Sequence, residues 1–137
     1  MQYRYRKIDL EQFAILSEDA IRAGEEVVFR TDLEFGYDKE NRLLSNRMTV
    51  TSTSGDKTLM KAVMTSYFEI SEDSLSELKD ENDRLVFDPM SLVQFASLNY
   101  GSLRGAMYIK TYGTNIQDIV LPPVYFHKII TSAFIVE

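Results

Sequence analysis

Between Glu25 and Tyr37 apolar and polar positions alternate without a break: Val27, Phe29, Thr31, Leu33, Phe35 and Tyr37 against Val28, Arg30, Asp32 and Glu34. A period of two places the first set on one face of a pleated strand, and β-branched and aromatic residues suit that surface, so this is the clearest strand in the chain. Tyr3 to Leu16 carries Tyr3, Tyr5, Ile8, Leu10, Phe13 and Ile15 among charges. Its period slips around Lys7, which predicts a strand with a bulge. Ala20 to Gly24 reads as a turn or a short helical step. Asp38 to Asn41 gives a polar turn, Leu43 to Thr53 a third strand, Ser54-Gly55-Asp56 a hairpin signal, and Thr58 to Ile70 a fourth strand. In the fourth strand Met60, Ala62, Met64 and Phe68 fall on one face and Leu59, Val63 and Tyr67 on the other. Apolar residues on both faces predict a core on one side and a partner over the other.

After Pro89 the period changes. Leu92, Val93, Phe95, Ala96, Tyr100, Leu103, Met107 and Ile109 recur at helical spacing to about Thr111, with Asp88 placed as N-cap, Pro89 at the first helical position and Gly113 beyond the end. Ser97, Gly101 and Gly105 recur every fourth residue along this helix, with Ser102 and Ala106 beside them. Glycine inside a helix costs about 1 kcal/mol relative to alanine, so a face with so little bulk predicts close approach of another backbone. That backbone belongs either to the chain's own sheet or to the equivalent helix of another subunit. The acidic stretch Ser71 to Asp88 predicts a short capped helix or a solvated excursion. Pro122-Pro123 interrupts regular structure, and Val124 to Phe134, with Phe126, Ile129, Ile130 and Phe134 apolar, predicts a last amphipathic helix. The sum is an α+β domain in which a four-stranded antiparallel sheet packs against one long helix.

Composition narrows the chemistry. The 137 residues, 45% hydrophobic and 26% charged, are enough for one domain with its own core, residues 1–137. With no cysteine, disulfides, thiolate-bound zinc and thiol redox chemistry are all excluded. The opening MQYRYRKIDL has positive charge but no apolar run behind it, unlike a signal peptide, and no stretch approaches a membrane span, so a cytoplasmic location is expected. A net charge of -6 argues against nucleic acid as the main partner. Arg4, Arg6 and Lys7 read as one strand's solvated edge.

Catalysis needs convergent ionisable or nucleophilic groups, and the single histidine, His127, has no identifiable partner. There is no phosphate-binding glycine loop, no nucleophile elbow and no histidine-based metal spacing. The acidic pairs Glu72-Asp73 and Glu81/Asp83 lack the glycine-centred loop of a calcium site. No catalytic residue, metal or cofactor is expected. Eight Tyr, eight Phe and six Met make a core, and one long helix leaves part of the sheet's apolar surface uncovered. Self-association or a groove for apolar segments of another chain would use that surplus.

Three stretches give the order of elements a resemblance. RMTVTSTSGDKTLMKAV (Arg47 to Val63), followed by Tyr67-Phe68-Glu69-Ile70, is similar to the third strand, tight turn and fourth strand of the SecB protein-export chaperones. LRGAMYIKTYGTN (Leu103 to Asn115) resembles the Arg-Gly-Thr end of that family's main helix, and LPPVYFHKII (Leu121 to Ile130) its Leu-x-Pro entry to the last helix. Together the motifs span nearly the whole chain. Two features mark a divergent branch: SLVQFASLNYGSLRGAMYIKT lacks the family's Phe-Pro-Tyr-Ala-Arg signature, and Thr65-Ser66 replaces a Gly-Gly pair.

The resemblance implies an ATP-independent holder of unfolded or partly folded polypeptides, assembled as a dimer of dimers, without cofactor. It places the client-binding groove on Val27, Phe29 and Leu33 of the second strand with Leu121, Tyr125 and Phe126 of the loop and terminal helix, and the subunit interface on Ser97, Gly101 and Gly105. Lys61 stands where the export chaperone has a glutamate that contacts the translocase motor, and the family's polar tail is missing after Glu137, so the likeness does not carry motor binding with it. A dedicated chaperone for one partner, of the toxin–antitoxin type, would use the same groove. A hotdog-type thioesterase is a third reading, weakened because its long helix follows the first strand rather than the fourth.

Overall fold

The alternation read from the sequence becomes a sheet of four long antiparallel strands, β1 (Tyr3–Ile15), β2 (Val27–Asp38), β3 (Leu43–Ser54) and β4 (Lys57–Ile70). The computed structural model describes residues 1–17 and 26–137, so the turn expected at Ala20 to Gly24 and the first residue of the second strand, Glu25, lie outside it. Strand order is β1-β4-β3-β2, which leaves β1 and β2 at the two edges. β2 meets β3 in an unbroken register from Val27↔Ser54 to Asp38↔Leu43. β1 meets β4 with two register shifts, one between Tyr5 and Lys7 where the period slips, and one between Leu10 and Gln12. Gly55 takes a φ of 58° in the two-residue turn joining β3 to β4, a conformation that costs glycine nothing.

One face of the sheet carries Leu44, Met48 and Val50 from β3 and Met60, Ala62, Met64 and Phe68 from β4, all buried. Against them lies the long helix α2 (Pro89–Thr111), which contributes Leu92, Phe95, Ala96, Leu103 and Met107. Asp88 does sit at the N-cap in extended conformation, but no backbone amide of the helix bonds its side chain, whose carboxylate accepts from the Ser91 hydroxyl instead. The opposite face of the sheet differs from expectation. Leu59 and Val63 are buried there, yet Arg47 at its centre bridges Glu11 at 3.0 Å and Glu34 at 3.3 Å. Charged side chains from three strands therefore occupy the middle of that face, beside the apolar positions.

A polar chain is buried where α2 crosses the sheet. Asn99 Nδ2 donates to the carbonyl of Asn46, to Asn46 Oδ1 and to the carbonyl of Met64, at 2.9, 2.9 and 3.2 Å. Its Oδ1 accepts from Ser66 Oγ at 2.6 Å, and the Tyr5 hydroxyl joins Ser66 to Ser102 on the helix. Every member is satisfied, so the cost of burying these groups is offset, and the helix has one position on the sheet at which all the bonds are made.

Between sheet and helix the acidic stretch resolves into α1 (Glu72–Glu77), capped by Ser71 Oγ accepting from the Ser74 amide at 3.2 Å, and a short strand β5 (Leu85–Phe87). The last amphipathic helix expected over Val124 to Phe134 is reduced to α3 (Phe126–Ile129). Beyond Ile130 the chain is extended and Phe134–Val136 forms β6, paired antiparallel with β5. Phe134 there lies 6.3 Å from the Phe35 ring and 6.2 Å from the Phe87 ring. A helical course would forfeit those contacts, and tertiary packing overrides the local period.

Candidate peptide-binding site

The free edge of β2 borders a hollow of about 530 Å³. Thr31, Leu33 and Phe35 line it from the helix-facing side of the strand, and Asp32 and Glu34 from the other. Residues from both faces of one strand can border a single space only if that space runs along the strand's edge. Its far wall is the end of α3 and the segment after it, from Ile129 to Phe134, and Leu92 of α2 contributes to the lining. The volume lies in the range of ordinary ligand sites, and the site is open rather than enclosed.

Of the residues singled out from the sequence, Val27, Phe29 and Leu33 are half-buried on β2, and Leu33 lines the hollow directly. Leu121 and Phe126 are each only 2% exposed and belong to the core, so they support the surface from behind. Phe126 meets Tyr100 edge-on at 5.6 Å, and the Tyr100 hydroxyl donates to the Pro122 carbonyl, which fixes the loop leading into α3. Burial raises the Tyr100 phenol above its ordinary value, so it stays a donor throughout the neutral range. Tyr125, in contrast, is 63% exposed, flanked by His127 and with the Lys128 ammonium 5.4 Å from its ring centre. Ile129, an apolar position of the terminal segment outside the groove set expected above, is 53% exposed at the rim of the hollow. Phe35, Ile129 and Phe134 had a legible apolar character but no signal that would bring them together.

The small-residue row has a clear position. Ser97, Gly101 and Gly105 are exposed, and beyond chain neighbours and the helix's own backbone no atom of the described residues lies within 4 Å of where a Cβ on either glycine would stand. The row faces away from the chain's own sheet. Around it stand the exposed Met90, Leu98, Tyr108, Ile109 and Tyr112, with Gln94 and Arg104 as its polar members. At 1.5 Å per residue this face runs for about 35 Å.

Electrostatics sharpen the rim of the hollow. Asp32 and Glu34 are the only charged residues lining it among the described residues. Asp32 pairs with Arg30 at 3.1 Å on the same strand. Among the described residues Glu34 engages Arg47 through Oε1, and Arg47 is shared with Glu11, whose carboxyl is held below its ordinary value above all by the Thr65 hydroxyl, against the opposing effect of burial, with the bond to and charge of Arg47 adding to the lowering. Among the described residues no cluster of acidic or histidine side chains is arranged to hold a metal ion, and no helix is long and apolar enough to cross a membrane.

No protein-family model matches the chain, and no curated protein matches it in sequence. Among solved structures it is similar to the SecB-like chaperone of Mycobacterium tuberculosis, solved in complex with a ChAD peptide from the HigA1 antitoxin. The TM-score is 0.63 at 14% sequence identity, over 90% of this chain and 90% of that one. At that identity the likeness concerns the fold. The four-stranded sheet, long helix and short terminal helix are a SecB-like α+β architecture.

Proposed function

We propose that this chain is an ATP-independent chaperone of the SecB-like type that holds unfolded or partly folded polypeptide segments in the hollow beside β2. The observation that carries the reading is the hollow itself: apolar side chains from Leu33, Phe35, Ile129 and Phe134 border an open trough at a sheet edge, in a fold shared with a chaperone. Val27, Phe29, Leu33, Tyr125 and Ile129 make the client contacts in this reading, with Leu121 and Phe126 as their support. Each apolar client side chain that becomes fully buried contributes about 1.5–3 kcal/mol, too little alone but enough when several sites act together. The open face of α2, through Ser97, Gly101 and Gly105, supplies the subunit contact that joins such sites into a dimer of dimers in the cytoplasm. Binding uses neither nucleotide nor cofactor.

A second reading rests on one finding. The SecB-like chaperone of M. tuberculosis was solved with a peptide from an antitoxin, so service to a single partner protein, of the toxin–antitoxin type, would use the same trough. The test is aggregation suppression of a slow-folding client by the purified oligomer without ATP, read beside its native mass. Suppression of unrelated clients at stoichiometric amounts supports general holding. Failure by a correctly assembled oligomer refutes general holding and leaves the dedicated partner.

A further inference from the structure

At the end of the sheet away from the β3–β4 turn, two departures from regular geometry bring cations together. In β1, Tyr5 pairs with Phe68 and Lys7 with Tyr67, so Arg6 is the extra residue of the bulge. Neighbouring residues of a regular strand point to opposite faces, whereas a bulge re-aims one of them, and here Arg6 and Lys7 border the same hollow. In the turn joining β2 to β3, Arg42 has a φ of 56°, a left-handed conformation in which glycine or asparagine is the usual residue. Asp38 already shapes that turn, accepting from the Glu40 and Asn41 amides and from the Asn41 side chain. An arginine is therefore not what the turn itself requires, and strained residues of this kind cluster at ligand sites.

This second hollow has a volume of about 690 Å³ and shares no residue with the trough beside β2. Arg6, Lys7 and Arg42 border it together with Tyr67 and two carboxylates, Glu40 and Glu69. Arg6 Nε lies 3.7 Å from one oxygen of Glu69 and Arg42 Nη2 lies 3.8 Å from the other. Arg42 Nη1 lies 3.6 Å from Glu72. All three separations exceed a hydrogen bond, so these carboxylates balance charge without taking up the guanidinium donors. Lys7 Nζ stands 5.5 Å from the centre of the Tyr67 ring and has no carboxylate partner among the described residues. We infer that the hollow binds a phosphate dianion, free or as the end of a small phosphorylated compound, between Arg6, Lys7 and Arg42. Guanidinium forks present paired donors that match phosphate oxygens. A free carboxylate would compete with Glu69, which is tethered in place at a high effective concentration. A dianion with three terminal oxygens brings twice the charge and reaches Lys7 as well as both arginines. The adjoining hollow of about 610 Å³ shares Arg42 and Glu69 but adds Glu72 and Asp73 against Arg4, so its charge does not suit an anion.

The experiment titrates the full chain with inorganic phosphate, phenyl phosphate and acetate at constant chloride and about pH 8, where the phosphates are dianionic, and follows the backbone amides by NMR. Either phosphate should give saturable shifts centred on residues 6–7, 41–43 and 67–69, with acetate about tenfold weaker or more. Tighter binding of phenyl phosphate assigns the site to phosphorylated compounds and equal binding assigns it to the free ion; both uphold a dianion site. Arg42→Gly should weaken phosphate binding by about fivefold or more while the melting temperature holds or rises, because glycine relieves the left-handed backbone. Lys7→Gln should weaken it by about threefold, and Glu69→Gln, which removes the tethered competitor, should tighten it by about threefold. Phosphate shifts that do not saturate, acetate binding as tightly as phosphate, or an affinity indifferent to both Arg42→Gly and Lys7→Gln would overturn the inference. A lower melting temperature for Arg42→Gly with phosphate affinity unchanged would overturn it too, leaving Arg42 as a staple to Glu69 and Glu72.

Discussion

Gly101→Leu separates what α2 does within a subunit from what it does between subunits. Beyond its chain neighbours and the helix's own backbone, no atom among the described residues lies within 4 Å of the position its Cβ would take, so the new side chain starts into open space. Leucine is also the better helix former, by about 0.8 kcal/mol. An isolated subunit should therefore be unchanged or slightly more stable, with its strand and helix signals intact. Across a seam formed by two such helices the same leucine enters a contact made by small residues, at a cost of about 1–3 kcal/mol for overpacking. A two-fold axis repeats it, giving about 2–6 kcal/mol per seam and a dissociation constant raised from about thirtyfold to ten-thousandfold. Size exclusion with light scattering across a dilution series reads the assembly, and circular dichroism melts read the fold. A drop in melting temperature at concentrations where the variant is monomeric would show that the position is not open. Unchanged association would remove Ser97, Gly101 and Gly105 from the interface.

Asn99→Leu leaves the Ser66 hydroxyl, Asn46 Oδ1 and the Met64 carbonyl short of a buried partner, and should cost at least about 3 kcal/mol in urea unfolding, against near-neutrality if the bonds were incidental. Tyr100→Phe keeps the ring on Phe126 but loses the bond to Pro122. It should cost about 1 kcal/mol, and amide exchange across residues 112–125 should quicken; unaltered exchange would show that the loop is held by packing alone. Glu11 has a folded value below its ordinary 4.5, so its contribution is complete above that value and fades as pH falls toward and through the lower folded one. Glu11→Gln should flatten that acid limb of the stability curve by under about 1 kcal/mol, since Glu11, held first by Thr65 and also by Arg47, is partly solvated, and an identical limb in the variant would rule Glu11 out as its source.

Much of this architecture is written in single periods. The alternation at Val27 to Tyr37 locates β2 and its buried face, and the helical spacing from Leu92 to Met107 locates α2, because each element is long enough for its period to repeat. β5 and β6, three residues each, have no period to read, and the local pattern by itself puts Phe134 in a helix. Its place is decided by Phe35 and Phe87, residues far away in the chain. The same holds for the site. Leu33 could be placed on the right strand and face, but whether Leu121, Tyr125 or Phe126 reaches the surface depends on how the loop after Pro123 is turned, which the Tyr100–Pro122 bond settles. The small-residue row on α2 was visible at once, whereas its direction was not, since a helix period gives a face and not what lies opposite it.

The position of β1 has a consequence for how the chain acquires its shape. β2, β3 and β4 follow one another and pair as neighbours, so their registers close over short loops. β1 pairs Tyr3 with Ile70 and must wait until β4 exists, closing a loop that contains the whole meander. Loop closure costs entropy before the pairing returns it, and the two bulges weaken the return. The first strand made is therefore the last to dock, and amides of β1 should exchange at lower free energy than those of β3. Until it docks, the sheet has a second naked edge, along β4 beside Met64 and Phe68, and during that interval the nascent chain itself has the exposed edge and apolar surface that a chaperone attends to.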